Sequence, residues 1–129
     1  MTFAYAILYV ADVARSLEFY ERAFGFTRRF LHESGTYGEL ETGTTTLSFA
    51  SLALAEGNFP GGVTPSSREA RPAASELAFA TGDVAAAFAK AVEAGAFAAA
   101  APKQKPWGQT VAWVRDLDGH LVELCSPMA

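Results

Sequence analysis

The feature that most constrains this chain is an internal repeat, in which the same order of predicted elements occurs twice. Segments 5–14 and 76–85 read YAILYVADVA and ELAFATGDVA, and both end in Asp-Val-Ala. In each copy a short apolar strand precedes an Asp that can accept hydrogen bonds from the first amides of a helix. A glycine closes each helix, and strand-like segments follow. A repeated order of this kind predicts one βαβββ unit used twice.

The first helix has the clearest pattern in the chain. The apolar run from Phe3 to Val10 predicts a strand, and Asp12 is the predicted N-cap of the helix that follows. Gly25 ends this helix in a left-handed conformation. Its buried side is predicted from one apolar stripe, which consists of Val13, Leu17, Tyr20 and Phe24.

Three strands are predicted after this helix. Segments 26–33 and 37–42 alternate in polarity about a Ser-Gly turn and form a hairpin, and a Thr-Gly-Thr turn leads to a third strand at 45–51. A tight turn at this point places Glu39 opposite Ser48 on neighbouring strands, so the two side chains share one face of the sheet.

The second copy begins after a stretch rich in Gly, Pro and Ser at about 52–73, which is interpreted as a linker or a flap. Glu76–Thr81 predicts a strand, Asp83 caps a helix, and Gly95 closes it. Segment 96–106 is alanine-rich and contains Pro-Lys-Gln-Lys-Pro. A strand is predicted there from the repeat alone.

The chain closes with a second predicted hairpin. A loop of residues 117–119, with Gly119 in the left-handed position, places Trp113 directly opposite Glu123. A carboxylate among apolar neighbours and facing an indole ring is either solvated or serves a ligand. The same face is predicted to carry Val111, Leu121 and Cys125, and the helix-facing side Ala112, Val114, Val122 and Leu124.

Composition limits the classes of function. The 129 residues fit a single domain or two half-size modules. A net charge of −4 argues against nucleic acid as a partner, and the single cysteine excludes an internal disulfide. No apolar run approaches the roughly 20 residues of a membrane helix, so a soluble cytoplasmic protein is expected. Arg28 and Arg29 are interpreted as surface charge.

Three motifs resemble the vicinal oxygen chelate superfamily, which includes glyoxalase I, bleomycin-resistance proteins and ring-cleaving dioxygenases. They are Val-Ala-Asp-Val-Ala-Arg-Ser-Leu-Glu-Phe-Tyr, Pro-Trp-Gly and the closing Asp-Leu-Asp-Gly-His-Leu-Val-Glu-Leu. The resemblance covers essentially the whole chain and implies an α+β fold. Two βαβββ modules, at about 1–51 and 74–129, would form an open cup-shaped mixed sheet in a pseudo-twofold arrangement, with helices outside. Many members are homodimers and hold a small molecule in the cup.

The resemblance also implies where a metal would bind. Metal-dependent members place ligands on the first and last strands of each module, and the matching positions here are Tyr5, Ser48, Glu76 and Glu123. These members usually have His or Gln, Glu, His and Glu there, and this chain keeps only the last. Tyr and Ser are poor ligands for a catalytic divalent ion. No metal cofactor is therefore expected, and Zn, Ni, Mn or Fe held by Glu76 and Glu123, with Glu39 as a substitute ligand, is the alternative.

The first functional hypothesis is a binding protein of the bleomycin-resistance type that needs no catalytic metal. Ring faces and carboxylates both attract cations, so the cup would suit a small aromatic or cationic molecule. Buried Tyr and Trp side chains need partners for their polar atoms, which a cup wall provides. The predicted binding residues are Tyr5, Tyr9, Glu39, Ser48, Glu76, Val111, Trp113 and Glu123.

The second hypothesis is a divalent-metal-dependent lyase, isomerase or dioxygenase that resembles glyoxalase I. In such an enzyme the ion stabilises an enediolate while a Glu moves the proton. Glu123 is the candidate catalytic residue, and neither His32 nor His120 is predicted to face the cup. A third alternative is a small interaction domain whose cup is filled by its own side chains.

Overall fold

The computed structural model describes residues 1–128, which divide into two compact units: residues 1–65 (unit 1) and residues from 66 onward (unit 2). No helix in the described part of the chain is long and apolar enough to cross a membrane. The elements are β1 (Tyr5–Val10), α1 (Val13–Phe24), β2 (Thr27–Leu31), β3 (Tyr37–Glu41), β4 (Thr46–Ser51), α2 (Leu52–Asn58), β5 (Glu76–Ala80), α3 (Val84–Glu93), β6 (Phe97–Gln104), β7 (Thr110–Arg115) and β8 (Leu121–Cys125).

The two units repeat one sheet topology, which confirms the predicted βαβββ repeat. Unit 1 has the strand order β1-β4-β3-β2, and unit 2 has the matching order β5-β8-β7-β6. In each sheet the first and last strands of the module pair in parallel, and the other pairs are antiparallel. Each sheet is therefore open and mixed, and the protein is α+β as expected.

Helix α1 begins and ends where the sequence predicts. The Asp12 carboxylate accepts a hydrogen bond from the Arg15 amide at 3.1 Å, and Gly25 has a φ of 79°. The helix packs closely on the sheet of unit 1, because a Cβ added at Gly38 would lie 2.5 Å from Leu17 Cδ1. Only a glycine at this position of β3 allows that approach.

Unit 2 repeats the arrangement with a shorter helix. Asp83 caps α3 through the Ala86 amide at 3.0 Å, and Gly95, with a φ of 116°, follows the C-cap Ala94. The strand inferred from the repeat alone is present as β6, and its pairing with β7 shifts register at two points. Alanines and Pro102 give this strand little pattern of its own, so its partner strand defines it.

The closing hairpin has the predicted register, with Trp113 opposite Glu123 and Val111 opposite Cys125. Gly119 takes a φ of 101°, which only glycine adopts readily. The loop is held by the buried Asp116 carboxylate, which accepts hydrogen bonds from three amides of the loop. The donors are Asp118 at 3.0 Å, Gly119 at 2.9 Å and His120 at 2.8 Å.

The segment at 52–73 is more structured than a linker. Ser51 caps the short helix α2 through the Leu54 amide at 3.1 Å, and after this helix the Phe59 ring meets the Tyr9 ring edge-on at 6.3 Å. In unit 2, the Arg115 guanidinium donates to backbone carbonyls at Ser67, Arg68 and Ala70. Because Gly and Pro are typical of loops, the sequence of this segment did not predict these contacts.

Candidate binding surfaces on the two sheets

The sheet of unit 2 has one face turned away from α3, and this face carries the acidic residues. Strand pairing aligns Ala78 of β5 with Glu123 of β8, and Glu123 with Trp113 of β7. Since side chains alternate along each strand, Glu76 and Cys125 share this side of the sheet. We call this surface, defined by Glu76, Ala78, Trp113, Glu123 and Cys125, the unit-2 face.

Two carboxyl groups on the unit-2 face interact with each other. The Trp113 indole Nε1 donates to Glu76 Oε1 at 3.2 Å, and Glu76 lies close enough to Glu123 to interact with it electrostatically. Burial raises the pKa of Glu123, and the neighbouring Glu76 carboxylate raises it further. Glu123 therefore holds its proton up to a higher pH than an isolated Glu does.

A lysine side chain lies over the Trp113 ring. Lys105 Nζ is 5.4 Å from the ring centroid, within the range of a cation–π contact. This positive charge slightly offsets the effect of Glu76 on the pKa of Glu123. Sequence reasoning missed Lys105, because it belongs to the patternless Pro-Lys-Gln-Lys-Pro stretch, where nothing indicates which way a side chain points.

The deeper part of the unit-2 face is apolar. Val111 is 2% exposed, and Cys125 is buried with its Sγ 3.7 Å from the Phe79 carbonyl oxygen. Burial, and then the Glu123 carboxylate, raise the pKa of the Cys125 thiol, so its reactive thiolate form is disfavoured. Val111 and Cys125 therefore lie beneath the unit-2 face and have little exposed area for contact with a ligand.

The sheet of unit 1 also has a face turned away from its helix. Glu39 lies opposite Ser48 as predicted, and Ile7 of β1 lies beside Ser48 on the other side. Tyr5 and Tyr9 share this side by alternation. Tyr5 is 51% exposed, whereas Glu39 is only 7% exposed. We call this surface, defined by Tyr5, Ile7, Tyr37, Glu39 and Ser48, the unit-1 face.

Arg29 forms ion pairs with two carboxylates, Glu39 and Glu41. Its guanidinium donates to Glu39 at 2.9 Å, to both oxygens of Glu41 at 2.8 and 3.0 Å, and to Thr46 Oγ1 at 3.1 Å. Arg29 is exposed, as its interpretation as surface charge predicts, but the sequence did not indicate its ion pairs with Glu39 and Glu41. The pairing of β2 with β3 shifts between Arg28 and Phe30, and such a bulge turns an extra side chain onto one face. Sequence alternation gives no sign of this bulge.

Ser48 is the least satisfied polar residue on the unit-1 face. It is 0% exposed, and within residues 1–128 its hydroxyl has no hydrogen-bond partner. The nearby Tyr37 hydroxyl donates to Glu39 Oε2 at 2.7 Å. Burial raises the pKa of Tyr37, the Ser48 hydroxyl opposes the shift, and Glu39 adds to it. Ser48 therefore lies close to the Tyr37 hydroxyl without the geometry of a hydrogen bond.

These donors do not fit a catalytic metal site. In unit 2 only Glu76 and Glu123 come together, and a catalytic divalent ion normally takes three protein ligands. Residues 1–128 contain no group of three His, Cys, Asp or Glu side chains arranged to hold an ion. His120 Nδ1 lies 3.2 Å from Ser66 Oγ, and His32 Nδ1 lies 2.7 Å from Ser34 Oγ, so both histidines have local partners.

Comparisons with solved structures give the class of the fold. A glyoxalase-related enzyme from Fulvimarina pelagi aligns with a TM-score of 0.83 at 23% identity, over 96% of this chain and 86% of that chain. A superfamily member from Sphaerobacter thermophilus aligns with a TM-score of 0.75 at 20% identity, over 98% of both chains. A protein of unknown function from Agrobacterium tumefaciens aligns with a TM-score of 0.77 at 26% identity, over 98% of this chain and 94% of that chain.

The family follows from the sequence itself. The family model for the glyoxalase/bleomycin resistance protein/dioxygenase superfamily matches residues 2–124, and this chain belongs to that superfamily. No curated protein matches the chain. The resemblance inferred from the motifs is thereby confirmed. Because one fold supports many functions, the ligand or reaction has to be inferred from the residues of the unit-1 and unit-2 faces.

Proposed function

We propose that this protein binds a small, flat, cationic aromatic molecule on the unit-2 face and needs no catalytic metal to do so. The observation that carries the proposal is the position of Trp113. Its indole N–H donates to Glu76 at 3.2 Å, and its ring face receives Lys105 Nζ at 5.4 Å. Carboxylates beside an accessible aromatic ring form an arrangement that attracts organic cations.

Lys105 indicates where the positive charge of a ligand would lie. A cation over an indole ring gains about 0.5–2 kcal/mol, depending on how much water is removed. A flexible lysine side chain can leave the ring at little cost, because its ammonium is easily solvated. A delocalised ligand cation carries less tightly bound water, so it would replace Lys105 and stack on the same ring.

The carboxyl pair adds a pH dependence to this proposal. Burial and the neighbouring Glu76 raise the pKa of Glu123, so this carboxyl group loses its proton at a higher pH than an isolated Glu does. A bound cation favours the ionised form of Glu123 and would promote the loss of its proton. Binding should therefore tighten as the pH rises through the raised pKa of Glu123, and it should level off above it.

The predicted binding residues of unit 1 contribute less to the attraction of a cation than those of unit 2. Glu39 was expected to add negative charge, but Arg29 already pairs with it at 2.9 Å. Tyr5 and Tyr9 offer rings and hydroxyls rather than charge. The attraction for a cation is therefore assigned to Glu76, Trp113 and Glu123.

A matched pair of probes tests the proposal. N-methylquinolinium carries a fixed positive charge on a flat bicycle, and quinoline at alkaline pH is its neutral counterpart. Isothermal titration calorimetry should show that the wild type prefers N-methylquinolinium, and that Trp113→Leu and Glu76→Gln weaken its binding. Trp107→Leu is the control, because Trp107 is exposed and pairs with Gln109. Equal affinities for both probes, or no effect of Trp113→Leu, would refute the proposal.

The metal-dependent lyase, isomerase or dioxygenase is the second candidate, with Glu76 and Glu123 as ligands and Glu123 as the proton-transfer group. The raised pKa of Glu123 favours it, since an acid or base works best when its pKa approaches the working pH. The two-carboxylate donor set counts against it. Saturable binding of Ni²⁺, Zn²⁺, Mn²⁺ or Fe²⁺ that Glu123→Gln abolishes would favour this candidate over the first.

We also propose that the protein is a homodimer located in the cytoplasm. We expect it to have no nucleic-acid or membrane partners. The negative net charge argues against nucleic-acid partners, the lone, buried Cys125 fits a reducing compartment, and the homodimer is proposed from the resemblance to the superfamily. Light scattering coupled to size-exclusion chromatography should give twice the mass of one chain. A monomer at all concentrations would contradict the homodimer and leave the ligand proposal unaffected.

A further inference from the structure

We propose that the outer edge of β6 binds an extended, acidic peptide segment of another protein, which adds as a further strand to the sheet of unit 2. This surface lies along the edge of the sheet, so it is distinct from the unit-2 face to which the proposed function assigns a cation. Three observations carry the proposal: a strand edge without a neighbour, small side chains along it, and a local excess of positive charge in a chain with a net charge of −4.

Strand β6 has a neighbouring strand on one side only, because the sheet of unit 2 has the order β5-β8-β7-β6. In β7 the Thr110 carbonyl faces β8, since it accepts a hydrogen bond from Ser126 N at 2.9 Å. Backbone groups alternate between the two sides of a strand, so Arg115 faces β6, where it pairs with Phe97. The next residue of β6, Ala98, therefore directs its N–H and C=O groups away from the sheet, where another strand can pair with them.

Exposed alanines occupy the centre of this edge, at positions 98–101. Alanine side chains are too short to shield the backbone, so a second strand can approach to the usual spacing of about 4.8 Å. The pairing of β6 with β7 shifts register between Ala98 and Ala100 and again between Ala100 and Lys103, and Pro102 has no N–H. These irregularities confine a new hydrogen-bonded ladder to the first half of β6, so the bound segment is short.

The charge along the edge selects an acidic peptide. Residues 94–115 contain basic residues but no Asp or Glu. At the start of the strand the Arg68 guanidinium carbon lies 4.2 Å from the Phe97 ring centroid, and exposed Lys103 lies towards the other end. Glu69 follows Arg68 in the chain and offsets part of its charge, so Lys103 provides the larger share of the attraction. Carboxylates on an added strand would lie beside these cations.

The same charges argue against a second copy of this chain as the occupant. Two β6 edges that paired antiparallel about Ala100 would place Lys103 of one chain beside Phe97 and Arg68 of the other. Cations would then meet at both ends of the pair, and like charges on neighbouring strands are destabilising. Lysine and proline on an edge strand generally prevent pairing between copies. The edge of β6 is therefore closed to its own copy and open to an acidic strand.

Nuclear magnetic resonance titrations with two peptides test the proposal. One is a short peptide of alternating Val and Glu, and the other has Lys in place of Glu. We expect the acidic peptide to shift the amide resonances of residues 97–101 saturably and to bind at least about tenfold more tightly than the basic one. Ala98→Pro should abolish this binding, because it removes an outward N–H and leaves the hydrogen bonds between β6 and β7 in place.

A charge reversal provides the second test. Lys103→Glu should weaken binding of the acidic peptide by at least about tenfold and improve binding of the basic one. Lys90→Glu is the matched control, since it makes the same change at an exposed position of α3 and should weaken binding far less.

Equal affinities for the two peptides, or full binding by a folded Ala98→Pro, would overturn the proposal. Should Ala98→Pro fail to fold, the comparison of Lys103→Glu with Lys90→Glu still decides, and equal losses in these two variants would count against the edge. Light scattering that shows a dimer dissociated by Ala98→Pro would assign the edge to a second copy and also overturn the proposal. No peptide result depends on N-methylquinolinium, so failure of the cation site and failure of the peptide site remain distinguishable.

Discussion

Trp113 lies directly opposite Glu123 in the antiparallel pair of β7 and β8, and its indole N–H donates to the second carboxylate, Glu76, at 3.2 Å. One aromatic side chain is thus paired with one acid across the strands and hydrogen-bonded to another. The pKa of Glu123 is raised by burial and by Glu76. The first prediction concerns the stability cost of holding these two acids together.

Glu123→Gln should stabilise the protein at neutral pH and have less effect in acid. Because the folded-state pKa of Glu123 lies above its ordinary value of 4.5, its contribution to stability is fully present below pH 4.5 and is lost as the pH rises through the raised pKa. Between pH 4 and pH 7 the variant should therefore gain stability relative to the wild type in urea unfolding.

Glu41→Gln supplies a control of opposite sign. A hydrogen bond from Arg29 lowers the pKa of Glu41, so this carboxylate contributes stability above its ordinary pKa and loses it as the pH falls through the lowered value. The substitution should therefore destabilise the protein at pH 7 and become neutral in strong acid. Parallel pH profiles for the two variants would contradict the assignment of both carboxylates.

Lys105→Gln should improve the binding of N-methylquinolinium by about threefold, because the ligand no longer displaces an ammonium from the Trp113 ring. Fluorescence quenching is the suitable measurement, in a Trp107→Phe background so that only Trp113 emits. A weaker affinity for the cation in Lys105→Gln would show that Lys105 assists binding and does not occupy the ligand position.

Ser48→Ala should raise the free energy of unfolding by about 1 kcal/mol, because it removes a buried hydroxyl that has no partner among the described residues. Thr46→Val is the matched control on the same strand. Thr46 Oγ1 accepts a hydrogen bond from Arg29 at 3.1 Å, so its loss should destabilise by about 0.5–1 kcal/mol. Urea unfolding of both variants checks the contrast, and destabilisation by Ser48→Ala would mean that the hydroxyl has a partner in solution.

Gly119→Ala should destabilise the closing hairpin more than Gly108→Ala does. Both glycines have positive φ values, 101° and 92°, so both alanines carry the same backbone strain of about 1 kcal/mol. A Cβ at Gly119 would also lie 2.7 Å from the Ser67 carbonyl, whereas a Cβ at Gly108 meets nothing within 4 Å. Thermal unfolding should show the larger loss at Gly119. Equal losses would mean that segment 66–70 does not pack on the turn.

Local patterns predicted most of the helices and strands. The Asp caps and glycines mark both long helices, and the Thr-Gly-Thr and Asp-Leu-Asp-Gly turns define the registers that place Glu39 opposite Ser48 and Trp113 opposite Glu123. These signals act over a few residues, so a single sequence contains them. Strand β6 needed the repeat as well, because its alanines carry no alternation.

The candidate sites were less predictable, since long side chains create them across strands. Alternation could not reveal that a bulge in β2 turns Arg29 towards Glu39, or that Lys105 reaches over Trp113. Helix α2 was also missed, because seven residues beside a Gly- and Pro-rich stretch give too short a pattern. In each case the deciding contact joins residues that no local rule connects.

The central claim is that the Trp113 ring binds a cation beside the carboxyl pair. The protein has two tryptophans, so each indole N–H gives its own resonance in a nitrogen-15 spectrum. During titration with N-methylquinolinium, the Trp113 indole signal should shift saturably while that of Trp107 stays in place, and quinoline should produce a much smaller effect. A Trp113 signal that does not move, or that moves equally with the neutral probe, would contradict the account.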